Sequence, residues 1–204
     1  MAGQKKQAGP RTYRMGRRQE QLEATRQRIA EAAFELHGIV GPARTSISAV
    51  AERAGVQRHT VYHHFPDMTT LLRACTEHGM RVTRIPEATS WRAIDDLADR
   101  LRHGFGELYA YYRANAQLLG NILRDMPFMA QFGGAESFVE HMTQLFDALA
   151  EGWPDGAGAQ RLRMAAIGHA MAYETWRSLT DKGLSDDEAC QLMMRLVITA
   201  ADDA

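Results

Sequence analysis

The sequence predicts an all-α protein in two parts, an N-terminal three-helix unit built around a helix-turn-helix and a larger helical body. Three observations carry that expectation. Thr45 to Phe65, TSISAVAERAGVQRHTVYHHF, holds two short amphipathic segments joined through Gly55. From Trp91 onward each segment repeats apolar residues at helical spacing, and none alternates with the period of two that marks a strand. At 204 residues, 45% hydrophobic and 24% charged, the chain is long enough to bury a sizeable core.

Residues 1–17 read as a flexible basic arm without periodicity. Its Lys5, Lys6, Arg11, Arg14 and Arg17, with Arg18, suit a phosphate backbone or a minor groove, or equally a solubilising tail. The first helix is expected from Arg18 to His37, with Leu22, Ile29, Ala32, Ala33 and Leu36 on one stripe and Gly38 as its stop. The loop Ile39 to Arg44 then delivers Arg44 beside the second helix, where a phosphate contact is expected. Thr45 and Ser46 offer capping hydroxyls, and both are counted with Arg44 among the candidate contacts. Ile47, Val50, Ala51 and Ala54 form the buried stripe of the second helix. Gly55 ends it in a left-handed turn, and Val56 plugs the angle.

The third helix follows within about three residues, the spacing of a DNA-binding helix-turn-helix. Val61 and Phe65 face inward, which leaves Gln57, Arg58, His59, Thr60, Tyr62 and His63 at the outer side and the N-terminal end. That end of a recognition helix meets base edges and phosphates. Arg58 suits a bidentate guanine contact or a phosphate contact, and Tyr62 a phosphate anchor or simple packing. His64 is expected to support the fold beside Phe65.

Pro66 and the cap Asp67 open a fourth helix from Met68 to about Arg84, buried through Leu71, Leu72, Cys75 and Val82. Gly79 in its middle suggests a bend or a close helix contact. The polar run from Pro86 to Ser90 divides residues 18–85 from residues 86–204. Beyond it the expected helices are Ser90 to Asn115, Ala116 to Asp125, a stretch around Phe138 to Gly152, Gln160 to Lys182, and one opened by the capping box Ser185 and Glu188. Pro127 and the pair Gly133 and Gly134 interrupt the series. The last two helices are apolar on two stripes, which calls for a second subunit. Leu162, Ala166, Ala170, Met193, Met194 and Val197 are the expected homodimer contacts. For a small apolar or amphipathic effector, Phe105, Tyr109, Tyr112, Phe128, Phe132, His169, Tyr173 and Trp176 are candidate lining residues, with a plain core as the alternative.

The net charge of -1 conceals an asymmetry. Residues 1–85 carry 14 Lys and Arg against 7 Asp and Glu, and the remainder 10 against 18. A basic N-terminal part beside an acidic body is the electrostatic footprint of a phosphate-binding surface. No segment approaches the ~20 apolar residues of a membrane span, and the polar start lacks a signal peptide, so a cytoplasmic location is expected. Cys75 and Cys190 stand far apart without CxxC spacing, consistent with buried thiols in a reducing compartment. His59 and His63 stand four apart without a third ligand, so neither metal nor cofactor is expected. No nucleophile elbow, phosphate loop or HExxH occurs, and catalysis is not expected.

The run from residue 29 to residue 72, IAEAAFELHGIVGPARTSISAVAERAGVQRHTVYHHFPDMTTLL, resembles the DNA-binding region of the tetracycline-repressor (TetR) family. Ala32 and Ala33, Gly38, Thr45, Val50 and Ala51, Ala54 to Val56, Thr60, Tyr62, Phe65, Leu71 and Leu72 fall in register. The resemblance covers about a quarter of the chain. It implies an all-helical fold, a three-helix reading head, a ligand-binding body and a dimer built by the last two helices. It also implies DNA contacts at Thr45, Gln57, Arg58, His59, Thr60, Tyr62 and His63. Two positions depart from the pattern: Met68 stands where a phosphate-gripping lysine is common, and His59 where a small residue is common. The function expected is a repressor released from a palindromic double-stranded operator by a small molecule. The alternative is a DNA-binding regulator or architectural factor with no effector.

Overall fold

A computed structural model describes residues 10–154 and 156–200. Among these residues all regular structure is helical. The elements are α1 (Pro10–Ile39), a 3-10 turn (Pro42–Arg44), α2 (Ile47–Arg53), α3 (Arg58–His64), α4 (Met68–Val82), α5 (Ala88–Arg92), α6 (Leu97–Ala114), α7 (Ala116–Arg124), α8 (Met126–Met129), α9 (Glu136–Ala150), α10 (Ala157–Met171), α11 (Tyr173–Thr180) and α12 (Asp186–Thr199).

Two hydrophobic clusters organise them. The first gathers Ile29 and Ala33 of α1, Val50 and Ala51 of α2, Val61 of α3, Phe65, and Leu71 and Cys75 of α4. The second gathers Trp91, Leu101, Phe105, Leu108, Leu145, Ile167, Met193 and Val197 from α5, α6, α9, α10 and α12. Helix α1 belongs to both neighbourhoods, since it packs against α2 and α4 on one side and against α7 on the other. Gly79 of α4 permits that crossing: a Cβ there would stand 2.6 Å from the Phe34 ring of α1. The close contact expected at Gly79 is therefore present.

Three helix boundaries differ from the sequence expectation, each for a physical reason. Helix α1 starts at Pro10 rather than near Arg18, as a polar lead-in continuous with the turns that carry Arg26 and Ile29 to the head core. The expected arm thus overlaps a helix from Pro10, while Lys5 and Lys6 lie outside the described residues. The helix expected from Ser90 to Asn115 is two helices. Asp96 caps a fresh start by accepting from the Asp99 N–H at 2.8 Å, and Arg100 Nε donates to the Ile94 carbonyl between them.

The helix expected from Gln160 to Lys182 breaks at Ala172, whose backbone is extended (φ -69, ψ 131). No glycine or proline marks the spot. Two tyrosines of α6 satisfy the carbonyls that the break releases: Tyr109 Oη donates to Ala170 O at 2.8 Å and Tyr112 Oη to Met171 O at 2.5 Å. An orphaned buried carbonyl costs free energy comparable to a lost hydrogen bond, so these hydroxyls are what make the break tolerable. Burial pushes both phenols well above their ordinary range, which keeps them donors.

Candidate DNA-reading surface and internal cavity

The helix-turn-helix is assembled by local chemistry. Ser46 takes extended geometry and its Oγ accepts from the Ala49 N–H at 3.1 Å, which starts α2. At its end, Val56 N–H donates to Ala51 O at 2.9 Å and Gly55 N–H to Glu52 O at 3.1 Å, with Gly55 at φ 65. This pairing closes the last turn and redirects the chain into α3. Val61 and Phe65, 0% and 2% exposed, anchor α3 to the head core. Arg26 of α1 secures its other end, donating from Nη1 to His64 O at 2.9 Å while its guanidinium lies 4.3 Å from the centre of the Phe65 ring. Sequence reading passed over Arg26, because one charge on a long polar helix carries no signal of its partner.

This anchoring leaves Gln57, Arg58, His59, Tyr62 and His63 exposed on one surface, with Thr60 half-buried beside them. Arg44 and Ser46 are exposed at the adjoining corner. Thr45 is half-buried, and its hydroxyl donates to Gly41 O at 2.8 Å. His64 is half-buried, and desolvation, then the neighbouring charges of His63 and Arg26, lower its pKa. This disfavours a second positive charge beside Arg26.

The head is tied to the body by a polar latch. At the end of α7, Asp125 Oδ2 accepts from the Ala43 N–H at 3.0 Å, Arg124 Nη2 donates to Val40 O at 2.9 Å, and Asn121 Nδ2 donates to Gly38 O at 2.8 Å. Gly41 lies within this loop at φ 94, where a Cβ would collide with the Arg124 and Asp125 side chains. The Arg124 guanidinium, hydrogen-bonded to the carboxylate, and the Ala43 N–H hold Asp125 below the usual carboxylate range although it is buried.

Beside the latch lies a cavity of about 500 Å³, walled by α1, α4, α6, α7, α9 and the α10–α11 break. Its surface is chiefly apolar: Phe34, Met80, Leu118, Ile122, Phe138 and Met142 face it. Of the eight candidate lining residues, Tyr112 and Tyr173 reach it. The others do not, and each is placed elsewhere for a visible reason. Phe105 and Tyr109 are fully buried in the body core. Trp176 is also buried and donates its indole N–H to Asp186 at 2.8 Å. Phe128 and Phe132 pair with each other, ring centres 5.1 Å apart, in the connection after α7. His169 is exposed. The missed residues sit on stripes of α1, α4, α7 and α9 that read as core, and a stripe facing a hollow has the same periodicity as one facing a packed neighbour.

The dimer candidates need a similar correction. Ala166, Ala170, Met193, Met194 and Val197 are buried within the chain's own core, and of the six only Leu162 is exposed. The outward stripe consists of Leu162 and Met164 on α10 with Leu192, Leu196 and Ile198 on α12. On α12 the buried face, Ala189, Cys190, Met193, Met194 and Val197, draws on both expected stripes and packs against α6 and α10, while Leu192, Leu196 and Ile198 are exposed.

Comparison with known proteins agrees with this architecture. Residues 29–75 match the model of the bacterial regulatory proteins of the tetR family. An HTH-type transcriptional repressor of Mycobacterium tuberculosis is 27% identical over 151 residues, covering 73% of this chain and 70% of that protein. The HTH-type transcriptional regulator SrpR of Pseudomonas putida is 32% identical over 80 residues, or 36% of this chain and 38% of its own. The crystal structure of a protein assigned as a tetR-family transcriptional regulator of Mesorhizobium loti superposes with a TM-score of 0.62 at 18% identity, covering 89% of this chain and 97% of that one. Residues 29–75 thus form a helix-turn-helix region of the tetR-family type, and the chain as a whole resembles a tetR-family transcriptional regulator in fold.

Proposed function

We propose that the chain is a repressor that binds a twofold operator as a homodimer and is released when a small molecule fills the internal cavity. The observation that carries this reading is the shared wall: α1, α4 and α7 line the cavity, and the same three helices hold the reading head in place. A molecule entering there has differential contacts with two positions of the head, the condition for shifting an equilibrium between them.

In this reading α3 enters the major groove. Gln57, Arg58 and His59 approach base edges, while Arg44, Thr45, Ser46, Thr60, Tyr62 and His63 contact the backbone or flanking bases. Thr45 takes part as an acceptor, because its proton is committed to Gly41. The exposed stripe of Leu162, Leu192 and Leu196 forms the twofold seam, placing two α3 helices about one DNA turn, ~34 Å, apart. Residues 18–85 then act as the reading unit and residues 86–204 as the sensing and pairing unit, and the protein works in the cytoplasm beside its DNA.

Footprinting the purified protein on genomic fragments, followed by a screen of uncharged apolar compounds for loss of the footprint, tests the proposal. A palindromic footprint erased by a compound that binds one site per chain supports it. A palindromic footprint that no cavity ligand alters favours a regulator without an effector.

A further inference from the structure

One corner of the cavity is polar in an unusual way. His37, in the last turn of α1, and Cys75 of α4 both face the hollow, and Cys75 Sγ lies 3.2 Å from His37 Nδ1. His37 is only 6% exposed, and among the described residues no group accepts a hydrogen bond from its Nε2. Burial lowers its pKa to about 4 against the opposing pull of Asp125, and raises that of the Cys75 thiol to about 12. Both partners are therefore neutral at physiological pH.

A neutral imidazole carries one N–H and one bare nitrogen. Nitrogen is a far better acceptor than sulfur, so the thiol proton points at Nδ1 and the imidazole proton resides on Nε2. That leaves an N–H donor without an acceptor among the described residues, on the wall of an apolar hollow. The remaining lining residues include no lysine or arginine, and the single carboxylate, Glu174, is exposed. An anionic ligand would enter with no counter-ion.

We infer that His37, oriented by Cys75, is the polar anchor of the cavity, and that the cavity takes an uncharged, mainly apolar molecule whose carbonyl or equivalent acceptor oxygen receives the Nε2–H. The inference rests on reading the cavity as the effector site, and it names the chemistry of the effector. It also connects the ligand to the head. The His37 carbonyl accepts from the Gly41 N–H at 3.1 Å, and Asn121 of the latch donates to the adjacent Gly38 O at 2.8 Å.

The test uses two isosteric probes on the full chain, 2-acetylnaphthalene and 2-isopropenylnaphthalene, which differ by a carbonyl oxygen against a methylene. Each is titrated as a competitor of the fluorescent probe N-phenyl-1-naphthylamine. Both are expected to compete on the wild-type chain, and H37F is expected to weaken the ketone roughly 5- to 10-fold while leaving the alkene almost unchanged. H37Q, which keeps an N–H at the same reach, should retain the ketone preference. C75A, which frees the imidazole to adopt either tautomer, should lower that preference about twofold.

Equal weakening of both probes in H37F makes His37 a shape determinant and overturns the inference. Loss of the ketone preference in H37Q overturns it as well, and serves as the decisive variant if H37F does not fold. If neither probe competes on the wild-type chain, the inference and the effector site fail together. If both compete with the expected preference yet no cavity ligand ever alters the footprint, the anchor stands and the repressor-release reading falls.

Discussion

The reading head and the helical body are built from the same residue types at the same spacing, yet they differ in what surrounds each apolar stripe. Around α2 and α3 the stripes of the head meet one another, while the far side of α1 and α4 faces the hollow. Ile29, Val50 and Val61 are all 0% exposed and close on one another. In the body some stripes meet partners, as around Phe105, while others face the hollow, as at Met142, and others face outward, as at Leu196. The space between α2, α3 and the facing side of α1 is filled, so periodicity alone places the residues there. A larger body has room to leave space inside and surface outside, and periodicity does not distinguish the three cases.

The largest predicted effect separates a packed stripe from a hollow-facing one. Phe105→Ala should destabilise by about 3–5 kcal/mol in denaturant unfolding, because a full set of contacts is lost around a rigid hole. Met142→Ala, already facing empty space, should cost only about 1 kcal/mol. Equal losses would mean that the cavity is filled in solution.

Acid provides a second contrast. His37 has its folded pKa depressed to about 4 from an ordinary 6.5, so below pH 6.5 the unfolded chain takes up a proton that the folded chain refuses. The stability linked to this group is complete above pH 6.5, declines as pH falls, and levels off below about pH 4. Between pH 7.5 and 4.5 the wild type should lose of order 2–3 kcal/mol more than His37→Phe, as read from urea midpoints at each pH. An identical pH slope in the two proteins would place His37 in contact with water.

The latch tests whether head and body are mechanically joined. Asp125→Ala strips the acceptor from the Ala43 N–H and from Arg124, and should cost about 1–3 kcal/mol. It should also blunt any response of DNA binding to a cavity ligand. Within the head, Arg58→Ala should leave folding unchanged and weaken operator binding by ~1–3 kcal/mol at one base pair if the side chain reads a base. Uniform weakening on all sequences would assign it to phosphate. The smallest change in stability belongs to the outer stripe. Leu196→Glu should alter monomer folding by about 0.5 kcal/mol or less, yet shift sedimentation from dimer toward monomer.

How far the sequence could be read follows the same division. The caps Ser46 and Asp67, the turn at Gly55 and the inward pair Val61 and Phe65 are local signals, and the structure has them where the spacing put them. The break at Ala172 was invisible, because what permits it is two tyrosine hydroxyls that stand 61 and 59 residues earlier in the chain than the carbonyls they serve. The cavity was invisible for a related reason. Its polar anchor pairs the last turn of α1 with α4, and His37 read simply as the last residue before a glycine stop. On α12, Met193 and Leu192 are equally apolar, and only the position of α6 decides which is inside.

The most direct test is the operator affinity of the chain, measured across a titration with a compound that displaces N-phenyl-1-naphthylamine from the cavity. DNA affinity is expected to fall in step with cavity occupancy and to reach a plateau at one molecule per chain. Saturation of the cavity with operator affinity unchanged would contradict it.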